Sequence, residues 1–118
     1  MTGDARYREY EAAALDWLFG TNPWGVSMVI GLGTNYPRTP HSVVAQQLGL
    51  ELTGGLVDGP VYRSIQNLRG IRLVEPDEYA PFNTGFIVYH DDVGDYATSE
   101  PIMDGTANLA YVLAALSR

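Results

Sequence analysis

The chain has 118 residues, 46% hydrophobic and 11% aromatic, which suits one domain with a core and argues against a disordered tail. Its formal charge is −7 and all seven basic residues are arginine, so nucleic acid and anionic membrane surfaces are poor partners. Cysteine is absent, which excludes disulfides and thiolate metal sites; no apolar run nears the roughly 20 residues that span a bilayer, and Met1–Arg6 has no leader-like apolar core.

In chain order, residues from about Asp4 to Phe19 are rich in Ala, Glu and Leu. Tyr7, Tyr10, Ala14, Trp17 and Leu18 fall near helical spacing, and Gly20 supplies a stop, so an amphipathic helix is expected there. Val26–Leu32 and Gly85–Tyr89 read as short strands, Ile71–Glu75 alternates weakly, and Ser42–Leu48 suits two helical turns. From Pro101 to about Leu116, apolar residues cover nearly every face of a second helix, which therefore expects packing on most sides. The two helices are separated by roughly 80 residues of irregular, Gly- and Pro-rich chain, an uncommon connection inside a self-sufficient fold. The reading is a mainly α piece, residues 1–118, whose neighbours are missing and whose final helix favours self-association. No internal repeat or linker divides it.

Chemistry concentrates in Tyr89-His-Asp91-Asp92-Val-Gly-Asp95-Tyr96-Ala-Thr-Ser-Glu100, directly before Pro101. Proline favours the first helical position, which makes Glu100 the expected N-cap. Four carboxylates in so short a stretch repel one another, so at least one is expected to keep its proton to higher pH, as a general acid must. A helix mouth favours the carboxylate form. Burial, or Asp91, Asp92 and Asp95 folded inward, would have to oppose that field. The plainer reading makes Glu100 a cap and the aspartates a solvated turn.

Asp16-Trp-Leu-Phe-Gly20-Thr-Asn22-Pro23-Trp-Gly25-Val-Ser27-Met-Val29-Ile-Gly31-Leu-Gly33, followed by Pro37-Arg-Thr-Pro40-His41, resembles a segment near the C-terminus of glycoside hydrolase family 9. There a helix ends in LG-x-NP, followed by G-x-S-[YF]-V-x-G-[FY]-G and a P-H-H-R turn. A second match runs from Tyr89-x-Asp91 through Tyr96-x-x-Ser99-Glu100 to Asp104-Gly-Thr-Ala107, against Y-x-D-x-R-x-x-Y-x-x-N-E and x-x-x-D-Y-N-A. The resemblance implies the C-terminal fragment of an (α/α)6 barrel, two long helices joined by a long irregular region with short strands. It further implies inverting cleavage of β-1,4-glucan or related β-linked oligosaccharides, with the general acid on Glu100. The family's base, in a D-A-G-D motif of the N-terminal half, has no counterpart in this sequence. The isolated chain is therefore expected to be inactive. A secreted or periplasmic parent follows only if it behaves as its family does.

Among binding candidates, His41 matches the first histidine of P-H-H-R, Asp91 belongs to the second motif, and Tyr96 flanks the acid. Trp24 is the better sugar-stacking platform, Trp17 the better core residue, and Tyr36 a further aromatic candidate. Ser42 and Val43 replace a histidine and an arginine, Val93 replaces an arginine, and Ser99 and Thr106 replace asparagines. His90 is expected to pair with a neighbouring acid. No cofactor is required. Calcium is an alternative, because Asp58, Glu75, Asp77, Glu78, Asp91, Asp92 and Asp95 are oxygen donors of the kind it prefers, although without EF-hand spacing. A non-catalytic calcium- or carbohydrate-binding module is thus the competing reading.

Overall fold

The computed structural model describes residues 4–117; Met1, Thr2 and Gly3, part of the stretch read for a leader, and Arg118 lie outside them. A 3-10 turn at Ala5–Tyr7, capped by Asp4, runs into helix α1 (Arg8–Leu18), so the first expected helix is present. It stops at Gly20, whose φ of +121° suits glycine alone. Asn22 then stitches the helix end to the next turn, its amide donating to the carbonyls of Trp17 at 2.8 Å and Val26 at 2.7 Å. Helix α2 (Val43–Leu48) is N-capped by Ser42, which accepts the Ala45 amide, and ends on left-handed Gly49.

Strand β1 (Val61–Tyr62) pairs antiparallel with β2 (Ile87–Val88), Val61 opposite Val88. Between them lies α3 (Arg63–Arg69), a helix absent from the sequence expectation. Its two aliphatic residues, Ile65 and Leu68, are both exposed, so no apolar face announced it. Ile71–Glu75 forms no strand. The last helix, α4 (Met103–Leu116), starts two residues later than expected, with Ile102 as its N-cap. Helices predominate over the two short strands, and no described helix is long and apolar enough to cross a membrane.

The core lies in the irregular region between the two long helices, which the sequence presents only as an uncommonly long connection. Trp24, Val26, Met28, Ile30, Val57, Tyr79 and Tyr89 form one buried cluster, against which Leu18, Tyr36, Leu52 and Leu56 pack. Val26–Leu32 was expected as a strand, yet it makes only one isolated bridge, Val29 with Leu56. Its backbone is shared out instead: Ser27 donates to Asn35, Met28 to Leu18 and Ile30 to Gly55, while Met28 accepts from Val57. Each buried aliphatic side chain there contributes about 1.5–3 kcal/mol. The helices bury far less. Among described residues α1 buries none and α4 only Leu109, while Met103 is 87% exposed and Tyr111 68%. With both helices projecting, the radius of gyration is 15.0 Å, against about 13.5 Å for a compact chain of this length.

Buried acids hold the loops in place. Asp95 accepts from the His90 ring at 2.7 Å, the Thr98 hydroxyl at 2.9 Å and the amides of Ala97 and Thr98. Asp92 accepts the amides of Val74, Glu75 and Gly94. Burial alone would raise both carboxyls, but these donors hold both below the ordinary aspartate value. His90 thus pairs with an acid, as expected. A lowered folded value means that this stability is present above about pH 4 and is lost as pH falls through the folded value. Urea denaturation should therefore show an acid-side loss that Asp95→Asn flattens, at a cost of about 1–3 kcal/mol at neutral pH. Gly94 allows a second test: a Cβ there would lie 2.3 Å from the Arg72 carbonyl oxygen and 2.9 Å from Asp92. Gly94→Ala should cost about 1–3 kcal/mol in the same assay by prising residues 72–75 off Asp92.

Candidate active site around Glu100

Glu100 lies in extended backbone, not at a helix cap. Residues 56–58 run antiparallel to 100–102: Val57 bridges Pro101, the Asp58 amide donates to the Glu100 carbonyl at 3.0 Å, and just outside the pairing the Gly59 amide donates to the Thr98 carbonyl at 2.9 Å. The intervening carbonyl, of Ser99, faces the other way and accepts the His41 amide at 2.8 Å. Thr98 and Ser99 close a turn, the Ser99 amide donating to the Asp95 carbonyl at 3.1 Å, so the segment that leaves this turn at Glu100 is held on both sides. The extended conformation continues to Ile102, whose amide donates to Leu56 at 2.9 Å. Thr106 locks the junction, accepting from the Leu56 amide and donating to the Ile102 carbonyl. That pairing is why Pro101 does not begin the helix. The Glu100 side chain is exposed, while Thr98 and Ser99 beside it are buried.

Asp91, Asp92 and Asp95 do not turn inward as a repulsive set around Glu100, because each carboxylate is committed to its own donors. Asp91 accepts the amides of Arg38 and Thr39, the latter at 3.0 Å, and the Ser99 hydroxyl at 3.4 Å; the Thr39 hydroxyl donates to its carbonyl at 2.6 Å. Burial outweighs those bonds and raises the Asp91 carboxyl above its ordinary value. The acid that does face Glu100 is Asp58, its cross-strand neighbour. Asp58 keeps an exposed edge, yet partial burial, then Glu100, Asp104 and Asp95, push it up to about 6. The sequence offered Asp58 as one of several oxygen donors for calcium, in an Asp-Gly-Pro run that is a generic turn signal. Its register against Glu100 has no local signature.

His41 and Tyr96 stand together beside this strand. The His41 Nδ1 meets the Val93 carbonyl and so must carry the hydrogen, leaving Nε2 as an acceptor. Its ring lies edge-on to Tyr96, centroids 5.9 Å apart, and the Arg69 guanidinium lies 6.0 Å from the Tyr96 ring. Asp91 pins residues 38–39, Ser99 holds His41, and His41 meets Tyr96, so the structure gathers these candidates around one strand.

Trp24 falls outside this group. It is 7% exposed, its Nε1 donates to Asn83 at 2.8 Å, and its ring packs 6.0 Å from Tyr89. Burial of most of that ring corrects the platform expectation, although Trp24 also lines the apolar cleft that holds Trp17. Trp17 is 36% exposed, on the rim of an apolar cleft of about 490 Å³ that Tyr62 and Ile65 also line. Tyr36 is covered by the Arg38 guanidinium, 3.7 Å from its ring centroid. Glu75, Asp77, Glu78, Asp91 and Asp92 line an acidic cleft of about 230 Å³ with His90. Even so, no three His, Asp or Glu side chains among the described residues converge to hold a metal ion.

The profile of glycosyl hydrolase family 9 matches residues 1–113. The chain is 28% identical to Endoglucanase 21 of Arabidopsis thaliana over 114 residues, covering 93% of this chain and 17% of that protein. It is 29% identical to an endoglucanase of Dictyostelium discoideum over 119 residues, 98% of this chain and 15% of that protein. Endoglucanase 15 of Arabidopsis thaliana is 31% identical over 116 residues, 89% of this chain and 22% of that protein. No solved structure matches the chain. The chain thus spans about a fifth or less of these relatives, and a match along nearly all of its own length makes it a member of glycosyl hydrolase family 9.

Proposed function

We propose that this chain is the C-terminal portion of a glycoside hydrolase catalytic domain that cleaves β-1,4-glucan or related β-linked oligosaccharides with inversion, Glu100 acting as general acid. The observation that carries the reading is the exposed Glu100 side chain on backbone fixed from both sides, with His41 and Tyr96 alongside. A general acid must keep its aim while the glycosidic C–O bond breaks, and a strand held by its neighbours gives that stiffness. The Glu100 carboxyl gives its proton to the leaving oxygen. A second carboxylate, about 6.5–9.5 Å away across the ring, removes a proton from the attacking water. That base is assigned to the missing barrel half. The His41 Nε2 and the Tyr96 hydroxyl take sugar hydroxyls, one as acceptor and the other as donor or acceptor.

The bare apolar faces of α1 and α4 support the same assignment, since the remaining helices of an (α/α)6 barrel would cover them. Alone, the chain is expected to self-associate through α4. On soluble mixed-linkage glucan and an aryl cellobioside it should show no turnover. Joined to the rest of its domain it should hydrolyse both, and Glu100→Gln should lower kcat by about 10² to 10⁴ with little change in KM. Turnover by the isolated chain, abolished by Glu100→Gln, would refute the divided site.

A further inference from the structure

We propose that Asp58 is a positioning residue of the same reaction, forming with Glu100 a cross-strand carboxyl pair whose mutual repulsion keeps an acidic proton available for the leaving oxygen. The inference rests on Glu100 being the acid. Its basis is the strand register. The Val57–Pro101 bridge and the Asp58 amide bond to the Glu100 carbonyl set Asp58 directly opposite Glu100. Directly opposite residues project from the same face of an antiparallel pair, with Cβ atoms about 5 Å apart. Two carboxyl groups so placed cannot both ionise freely, so the pair retains one proton into a pH range where a lone carboxyl has lost it.

The surroundings reinforce this. The other charges facing Asp58 are also acids, Asp104 from the first turn of α4 and buried Asp95, and Asp58 titrates near 6. Among the described residues no arginine or histidine forms an ion pair with it. In the reaction a proton passes from Glu100 to the glycosidic oxygen as the C–O bond breaks. The pair is left doubly charged and regains one proton from solvent, matching the one that the attacking water gives up to the base.

Two measurements test the pairing. Carboxyl carbon NMR titration of this chain should show the Asp58 midpoint falling by about one pH unit in Glu100→Gln, since one opposite-strand charge has gone. In the chain joined to the rest of its domain, Asp58→Asn should move the alkaline limb of kcat/KM about one unit lower. The rate near neutral pH would then fall about tenfold, and Asp58→Glu should restore the limb. A purely structural Asp58 would lower the rate equally at every pH. An Asp58 midpoint unmoved by Glu100→Gln, or an unshifted limb in Asp58→Asn, overturns the pair while leaving Glu100 as the acid. Full activity of Glu100→Gln would instead overturn the acid assignment itself, whatever the titration shows.

Discussion

The antiparallel pairing of residues 56–58 with 100–102 is the constraint on which the rest of the candidate site depends. It decides that residue 100 is extended and not helical, that α4 begins only at Met103, and that Asp58 is the nearest cross-strand acid. Thr106 closes the arrangement from within α4 through two bonds to the paired segment, so the helix start and the strand are one unit. The opposite edge of that strand is taken by His41 through Ser99. A side chain on such a segment inherits its direction from three separate parts of the chain. No local turn could fix it as firmly.

This core is built from loops, and loops bury backbone groups that regular structure would have paired. The chain meets that demand with short polar side chains. Asn22 serves the turn after α1, Asn83 takes the Tyr89 amide and the Trp24 ring nitrogen, and Asp91, Asp92 and Asp95 each gather backbone amides. The acidic run that looked like a reservoir of repulsion is therefore mostly scaffolding. Positions where the family has asparagine, arginine and histidine have also found local work: Ser99 donates to Asp91, the Val93 carbonyl holds His41, and Ser42 caps α2.

The sequence made legible whatever depends on neighbours in the chain. The first helix and α2 could be read because Gly20, Ser42 and Gly49 are local punctuation. The start of α4 was misplaced because Pro101 carries a genuine helix-start signal that a distant segment overrides. Helix α3 was invisible because it buries no apolar face, and Val26–Ile30 looked like a strand because full burial produces the same apolar run whichever partners share its bonds. The site divides along the same line. The candidates Glu100, His41, Tyr96 and Asp91 came from motifs, whereas Asp58 needed the register and the burial of Trp24 needed the packing. Trp24 and Trp17 differ only in what surrounds them, which composition does not record.

The distribution of burial bears directly on function. A chain that placed its apolar residues only to stabilise itself would turn the apolar surface of α4 inward, yet Met103, Tyr111, Leu113 and Leu116 all remain exposed. The irregular region has the reverse character, with Tyr89, Met28 and Ile30 fully buried. The part that carries the candidate site is thus internally complete, and the part that flanks it is not. Such an arrangement lets the Glu100 strand hold its geometry through local bonds, while the helices supply surface for whatever completes the domain. Direction and cover then have separate physical origins: hydrogen bonding fixes the backbone that carries Glu100, while the exposed apolar residues of α4 leave surface available for docking.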